Sequence, residues 1–197
     1  MLFDLVYPSA PAPLYPLPSA EHPGRREKPT GERLPLVEAS GLVYGQAARS
    51  WCHSGVRALH PVVHLHIIDR EGRLYLQKRA MSKDLLPGYW DTAVGGHVSY
   101  GEQAIEALYR EASEELGLQA FNPVLLEKYV WETRHDCELV IVYACVGHPD
   151  LHPDQEEVEE GRWWDFKALD RAMGTDTLTP NFEAEFTRIR SRLLALL

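Results

Sequence analysis

A glycine turn that feeds directly into a glutamate-rich helix constrains this 197-residue chain more than any other stretch. Gly95-Gly96-His97-Val98-Ser99-Tyr100-Gly101-Glu102 opens onto an expected helix from about Gln103 to Leu116. Gly117 stops that helix, as glycine commonly does just past a C-terminus. At about 100° per residue, Ile105, Leu108, Ala112 and Leu116 share one face and form the expected core contact. Glu111, Glu114 and Glu115 stand at i, i+3 and i+4, so their carboxylates gather on another flank. Like charges at that spacing cost roughly 0.2–0.5 kcal/mol per pair unless something compensates. Arg110 balances part of the charge. A solvated acidic face is the ordinary outcome for such a helix; a bound cation is the other, and all-oxygen ligation favours Mg²⁺ or Mn²⁺.

The spacing around the helix selects between these outcomes. Gly96, five residues, Glu102, seven residues, Arg110-Glu111, then Glu114-Glu115, Gly117 and Leu118 resemble the Nudix box at every fixed position. The resemblance implies an α/β fold, an α/β/α sandwich around a mixed β-sheet, and hydrolysis of a diphosphate linked to another group, X. It further implies that Glu111, Glu114 and Glu115 hold divalent metal, joined by a backbone carbonyl at Gly95 or Gly96, with Arg110 and Glu102 bracing them. A plain i, i+4 salt bridge from Arg110 to Glu106 is the alternative for that arginine. The general base stays open among Glu114, Glu157 and Glu160.

Composition narrows the partners. The net charge is −9, which argues against a nucleic-acid binder that tracks phosphates with a basic stripe. The Nudix resemblance implies a small-molecule diphosphate as the substrate instead. Three cysteines, Cys52, Cys137 and Cys145, form no CxxC pair and are odd in number, so a reducing cytoplasm is expected. No stretch approaches the run of about 18 apolar residues that a membrane span needs.

Eight of the 14 prolines fall within the first 35 residues, which disfavours helix and interior strand there. Residues 1–33 therefore read as a proline-rich arm. Its apolar residues, among them Leu5, Val6, Tyr7 and Leu14, are expected to lie against the domain or a partner subunit, with a homodimer as one form of the latter. Residues 34–197 read as the Nudix-like hydrolase domain. It is expected to open with a hairpin of Leu36–Glu38 and Leu42–Tyr44, and to continue with strands at Pro61–Ile68 and Arg73–Lys78 paired across a tight turn. Further strands are expected at Thr92–Val94, Val124–Glu132, Glu138–Val146 and Gly161–Phe166. Short and amphipathic helices close the chain at Lys167–Met173 and Pro180–Leu197, the latter with Phe182, Phe186, Ile189 and Leu193 on one stripe.

Nine histidines are many for this length. His64 and His66 share a strand face and read as packed or exposed residues rather than ligands. From about Gly45 to Phe166 the chain also resembles the isopentenyl-diphosphate isomerase branch of the Nudix family, through Ser82-Lys83, Pro87-Gly88-Tyr89-Trp90 and Gly96-His97. That resemblance implies a second metal held by His53, His60, His97, Glu138 and Asp136, of a type suited to Zn²⁺, Mn²⁺ or Fe²⁺. Capping of local turns is the alternative for His53 and His60. The match breaks at one place: Gly95 stands where the isomerase carries its catalytic cysteine. Hydrolase therefore ranks ahead of isomerase, and a non-catalytic nucleotide-binding module is a third reading. Lys78, Arg79 and Lys83 are candidate phosphate contacts, and Trp90 a candidate stacking surface for X.

Overall fold

The computed structural model describes residues 3–15, 31–82, 85–156 and 158–197. Its first half runs β1 (Leu14–Tyr15), β2 (Arg33–Val37), β3 (Val43–Ala48), a short helix α1 (Arg49–Trp51), β4 (His60–Ile68), β5 (Arg73–Arg79), β6 (Trp90–Asp91) and β7 (Val94–His97). The glutamate helix follows as α2 (Ala104–Leu116), then β8 (Val124–Glu132), β9 (Cys137–Val146), β10 (Val158–Asp165), α3 (Phe166–Ala172) and α4 (Pro180–Leu194).

Strand alternation builds the centre of the molecule. Along β4, Val63, Leu65 and Ile67 point to one face of the sheet, and Val62 and Ile68 to the other. The main sheet has the order β10-β5-β4-β9-β8, with β6 on β5 and β7 on β4. β4 and β9 run parallel through nine pairs, from His60 opposite Glu138 to Ile68 opposite Val146. The other pairings of this sheet are antiparallel. One face buries Leu108, Ala112 and Leu116 of α2 against Val63, Leu65, Leu139 and Ile141. The opposite face buries Phe182, Phe186, Ile189 and Leu193 of α4 against Val62, Leu74, Leu76, Val140 and Val142. The result is the expected α/β/α sandwich around a mixed sheet.

The expected antiparallel hairpin of β4 and β5 forms across the Asp69–Gly72 turn but is short, with Ile67–Tyr75 and Ile68–Leu74 in register. β7 occupies that edge of β4 from Val62 to Leu65, so β5 swings away and pairs along β10 instead. On α2, Ile105 is half-buried, whereas Ala104, Ala107 and Glu115 join the buried side. Phe166 opens α3 rather than ending β10, because the Asp165 carboxylate caps the helix by accepting from the Ala168 N–H at 2.6 Å.

The described part of the arm belongs to the core. Leu5 and Ala12 are buried in the α2 layer, and β1 lies parallel to β3 in a second, three-stranded sheet. The Tyr7 hydroxyl donates to the Glu102 carbonyl at 2.9 Å and accepts from the Gly101 N–H at 3.1 Å. Gln103 accepts from the Leu5 N–H and donates to the Leu5 carbonyl. The arm thus grips the loop that leads into α2. Residues 16–30, with the rest of the proline cluster, lie outside the described residues.

Candidate active site

The N-terminus of α2 is set by a capping box: Gln103 receives the N3 backbone N–H and Glu106 reaches back to the Gln103 N–H at 2.8 Å. Glu106 is thereby engaged, and Arg110 turns elsewhere. Its guanidinium makes a two-pronged contact to Glu102 at 3.0 and 2.9 Å. It also donates to Glu111 at 2.7 Å, to Glu114 at 3.2 Å and to the His97 carbonyl at 2.9 Å. These carboxylates hold the guanidinium proton far more tightly than usual. Glu111 is pushed up from the ordinary carboxylate value by burial, against the pull of Arg110.

Glycine at 96 makes that placement possible, because a Cβ there would overlap the Glu111 carboxyl group. Glu115 faces inward, 8% exposed, and accepts from the Gln77 amide at 3.0 Å. The three glutamates are therefore held on two anchors, Glu111 and Glu114 by Arg110 and Glu115 by Gln77. Glu32 adds a further carboxylate on this side, accepting from Ser99 Oγ and from Arg49, each at 3.2 Å. Neither Gln77 nor Glu32 carries a local sequence signal that marks it.

A second cluster lies across β7. After α1 the chain makes a wide five-residue helical turn over Cys52–Val56, a form common at functional sites, and it turns His53 inward. His53 Nδ1 lies 2.6 Å from Asp136, and its Nε2 lies 2.9 Å from His97 Nε2. His60 is fully buried; its Nδ1 donates to the Ala58 carbonyl at 2.9 Å, and its Nε2 has no hydrogen-bond partner among the described residues. A carbonyl only accepts, so the His60 proton sits on Nδ1 and the lone pair on Nε2. Burial also pulls His60 and His97 below the ordinary imidazole value, which keeps them neutral. Ligand atoms of His53, His60 and His97 all lie within 4.8 Å of one another, as do those of His60, Asp136 and Glu138. Burial, with Asp136 close by, pushes the Glu138 carboxyl up to about 7. A buried, lone-pair-bearing Nε2 amid imidazoles and carboxylates fits a transition metal.

The same face of β4 carries His64 and His66, which the sequence presents only as packed or exposed residues. Both bind Glu185 of α4, itself fully buried: His64 Nδ1 at 2.9 Å and His66 Nε2 at 2.6 Å. The Tyr129 hydroxyl donates to the same carboxylate at 2.7 Å. Burial opposes charge on His64, but Glu185 outweighs it and raises the imidazole above its ordinary value. Glu185 is lowered in turn, against its own burial.

The remaining candidates separate. Lys78 pairs with Glu159 at 3.1 Å, and Arg79 donates to the Leu85 carbonyl at 3.0 Å beside Asp91. Lys83 and Glu157 lie outside the described residues. Glu160 is engaged by Arg162 at 2.6 Å. Trp90 is not a stacking surface for a ligand: it is 6% exposed and sits edge-on to Trp164 in the α4 core, because β6 draws it against β5. The three cysteines are free and buried, and burial pushes the Cys52 thiol up to about 11. Among the described residues no helix is long and apolar enough to cross a membrane.

Residues 58–186 match the family model described as the NUDIX domain. The chain is 31% identical over 150 residues to an isopentenyl-diphosphate Delta-isomerase of Leifsonia xyli subsp. xyli, covering 72% of this chain and 80% of that one. It is 30% identical over 142 residues to the uncharacterized Nudix hydrolase YfcD of Escherichia coli (strain K12), covering 71% of this chain and 77% of the relative. The crystal structure of DR0079 from Deinococcus radiodurans superposes with a TM-score of 0.70 at 26% identity, over 80% of this chain and 99% of that one.

Proposed function

Because this chain belongs to the Nudix family of diphosphate hydrolases, we propose that it hydrolyses a small organic diphosphate joined to a group X, using divalent metal at the α2 glutamates. The observation that carries this reading is the Arg110 guanidinium, which gathers Glu102, Glu111, Glu114 and the His97 carbonyl at one point against a glycine strand. In this reading Glu111, Glu114, Glu115 and the Gly96 carbonyl would hold Mg²⁺ or Mn²⁺. Such cations would supply charge neutralisation of the diphosphate and a more acidic attacking water. The protein's own contribution is positional. Arg110 fixes the rotamers of Glu111 and Glu114, Glu102 fixes Arg110, and Gln77 fixes Glu115. Glu114, 60% exposed, is the carboxylate placed to meet solvent and take the proton of the attacking water. Lys78 and Arg79, with Lys83, are proposed contacts for the phosphates.

His53, His60, His97, Asp136 and Glu138 are proposed to hold a second ion, Zn²⁺, Mn²⁺ or Fe²⁺, supported by the orphaned His60 Nε2. Residues 34–197 act as the hydrolase domain in this account, with the arm as a brace on its catalytic loop. Three buried thiols support placement in a reducing cytoplasm.

The test is a Mg²⁺-dependent phosphate-release screen across organic diphosphates. Glu114→Gln and Glu115→Gln are each expected to lower the rate at least about 100-fold; near-normal rates in both would remove the role of α2. The histidine cluster favours one second reading, isomerisation of isopentenyl diphosphate. Deuterium incorporation into that compound at enzymatic rates, followed by NMR, would establish it. Glycine at 95 offers no acid or base there and weighs against it.

A further inference from the structure

His64 stands on the sheet face that carries His60 and Glu138, opposite Gly95 of β7. Its Nδ1 is committed to Glu185, and Glu185 is committed in turn to His66 and Tyr129, so the ring is locked. Its Nε2 has no partner among the described residues. The ring atoms Cδ2 and Nε2 lie 3.5 and 3.6 Å from where a Cβ on residue 95 would stand, and Thr92 flanks the same spot at 3.7 Å. The bare glycine thus leaves a floor edged by the His64 ring and the Thr92 methyl, with one locked nitrogen as its polar atom. A strand rises about 3.3 Å per residue, so Gly95 lies roughly 7 Å beyond His97 and its cluster. If the diphosphate of the proposed reading reaches the histidine cluster, which shares this face, X would extend from it along β7 past Gly95.

We propose that His64, oriented by Glu185, is a substrate-contact residue that hydrogen-bonds an oxygen of X, so that this protein accepts hydroxylated or anionic X groups and rejects hydrocarbon ones. The inference rests on the diphosphate reading above and names the substrate class within it. Covering a locked ring nitrogen with hydrocarbon leaves it unpaired, whereas an oxygen pairs it. The departure from the isomerase relative at Gly95 then has a positive meaning: the space over the strand belongs to a polar group, with no side chain needed to react.

Calorimetry with Mg²⁺ compares adenosine diphosphate ribose and uridine diphosphate glucose with isopentenyl and geranyl diphosphates. The wild-type protein is expected to favour the polar pair by about 10- to 100-fold. His64→Asn keeps a donor toward Glu185 but cannot reach over Gly95, and is expected to erase at least tenfold of that preference. Gly95→Ala leaves His64 and Glu185 intact and sets a methyl at ordinary contact distance on the floor; it is expected to weaken the polar ligands at least tenfold. An unchanged preference in both variants, equal wild-type affinity for the two classes, or binding of neither class overturns the proposal. Phosphate release on the same compounds separates the two readings. No release with the His64-dependent preference intact sinks hydrolysis alone, and release without that preference sinks this inference alone.

Discussion

Gly96 and Asp136 each act through what they leave possible in a neighbour. At Gly96 the Glu111 carboxyl of α2 occupies the volume on β7 that a side chain would need. Gly96→Ala is therefore expected to displace Glu111, lower Mg²⁺-dependent phosphate release at least about tenfold, and cost about 1–3 kcal/mol in a denaturant melt. Asp136 holds His53 at 2.6 Å and stands on the same side as His60. Asp136→Asn is expected to weaken transition-metal binding about 10- to 100-fold, read by elemental analysis after competition with a chelator. Unchanged occupancy would exclude the cluster as a metal site.

Elements meet here through a buried charge. Glu185 of α4 reaches β4 and pins His64 and His66, tying the helix to the sheet by more than its apolar stripe. The His64 value is raised, so its contribution to stability is complete below the ordinary imidazole value of 6.5 and fades as pH climbs above it. The Glu185 value is lowered, so its contribution is complete above 4.5 and fades as pH falls below that. Between pH 6.5 and 9, the melting temperature of chelator-treated wild-type protein is expected to drop further than that of His64→Asn; parallel curves would show that the pair adds nothing. The apolar stripes of α2 and α4 are legible from spacing alone, since Leu108, Ala112 and Leu116, or Phe182, Phe186, Ile189 and Leu193, recur at the helical period. Glu185 falls on that same α4 face, three residues after Phe182, yet a glutamate in an exposed-looking helix reads as solvated. Its partners lie in a distant strand, and no local pattern joins them. Trp90 misleads in the opposite direction: an aromatic next to a Pro-Gly loop resembles a ligand platform until β6 draws it into the core.

At the scale of the whole molecule, the box that names the family is contiguous and therefore readable, while its supports are scattered. The family match begins at residue 58, but Glu32, Arg49, His53 and the Tyr7 grip on the loop before α2 all come from before it. Gln77 reaches Glu115 from another strand, and only the folded sheet brings them together. Ions bound to the native state alone stabilise the entire fold. At a concentration about 100 times the dissociation constant the gain is about 2.7 kcal/mol, which for a chain of this size corresponds to roughly 5–10 °C in melting temperature. Stripping the purified protein with a chelator is expected to lower its melting temperature by that amount, and readdition of the metal to restore it.

The long parallel rung ladder between β4 and β9 has a bearing on how the protein is made. His60 and Glu138 meet only at its first rung, so a growing polypeptide leaving the ribosome has its three imidazoles well before either acid arrives. At the proposed histidine site, ion capture would consequently be a closing event of maturation rather than a seed for it. Its kinetic signature belongs on the rate at which the finished protein comes apart, with little effect on how quickly it first assembles.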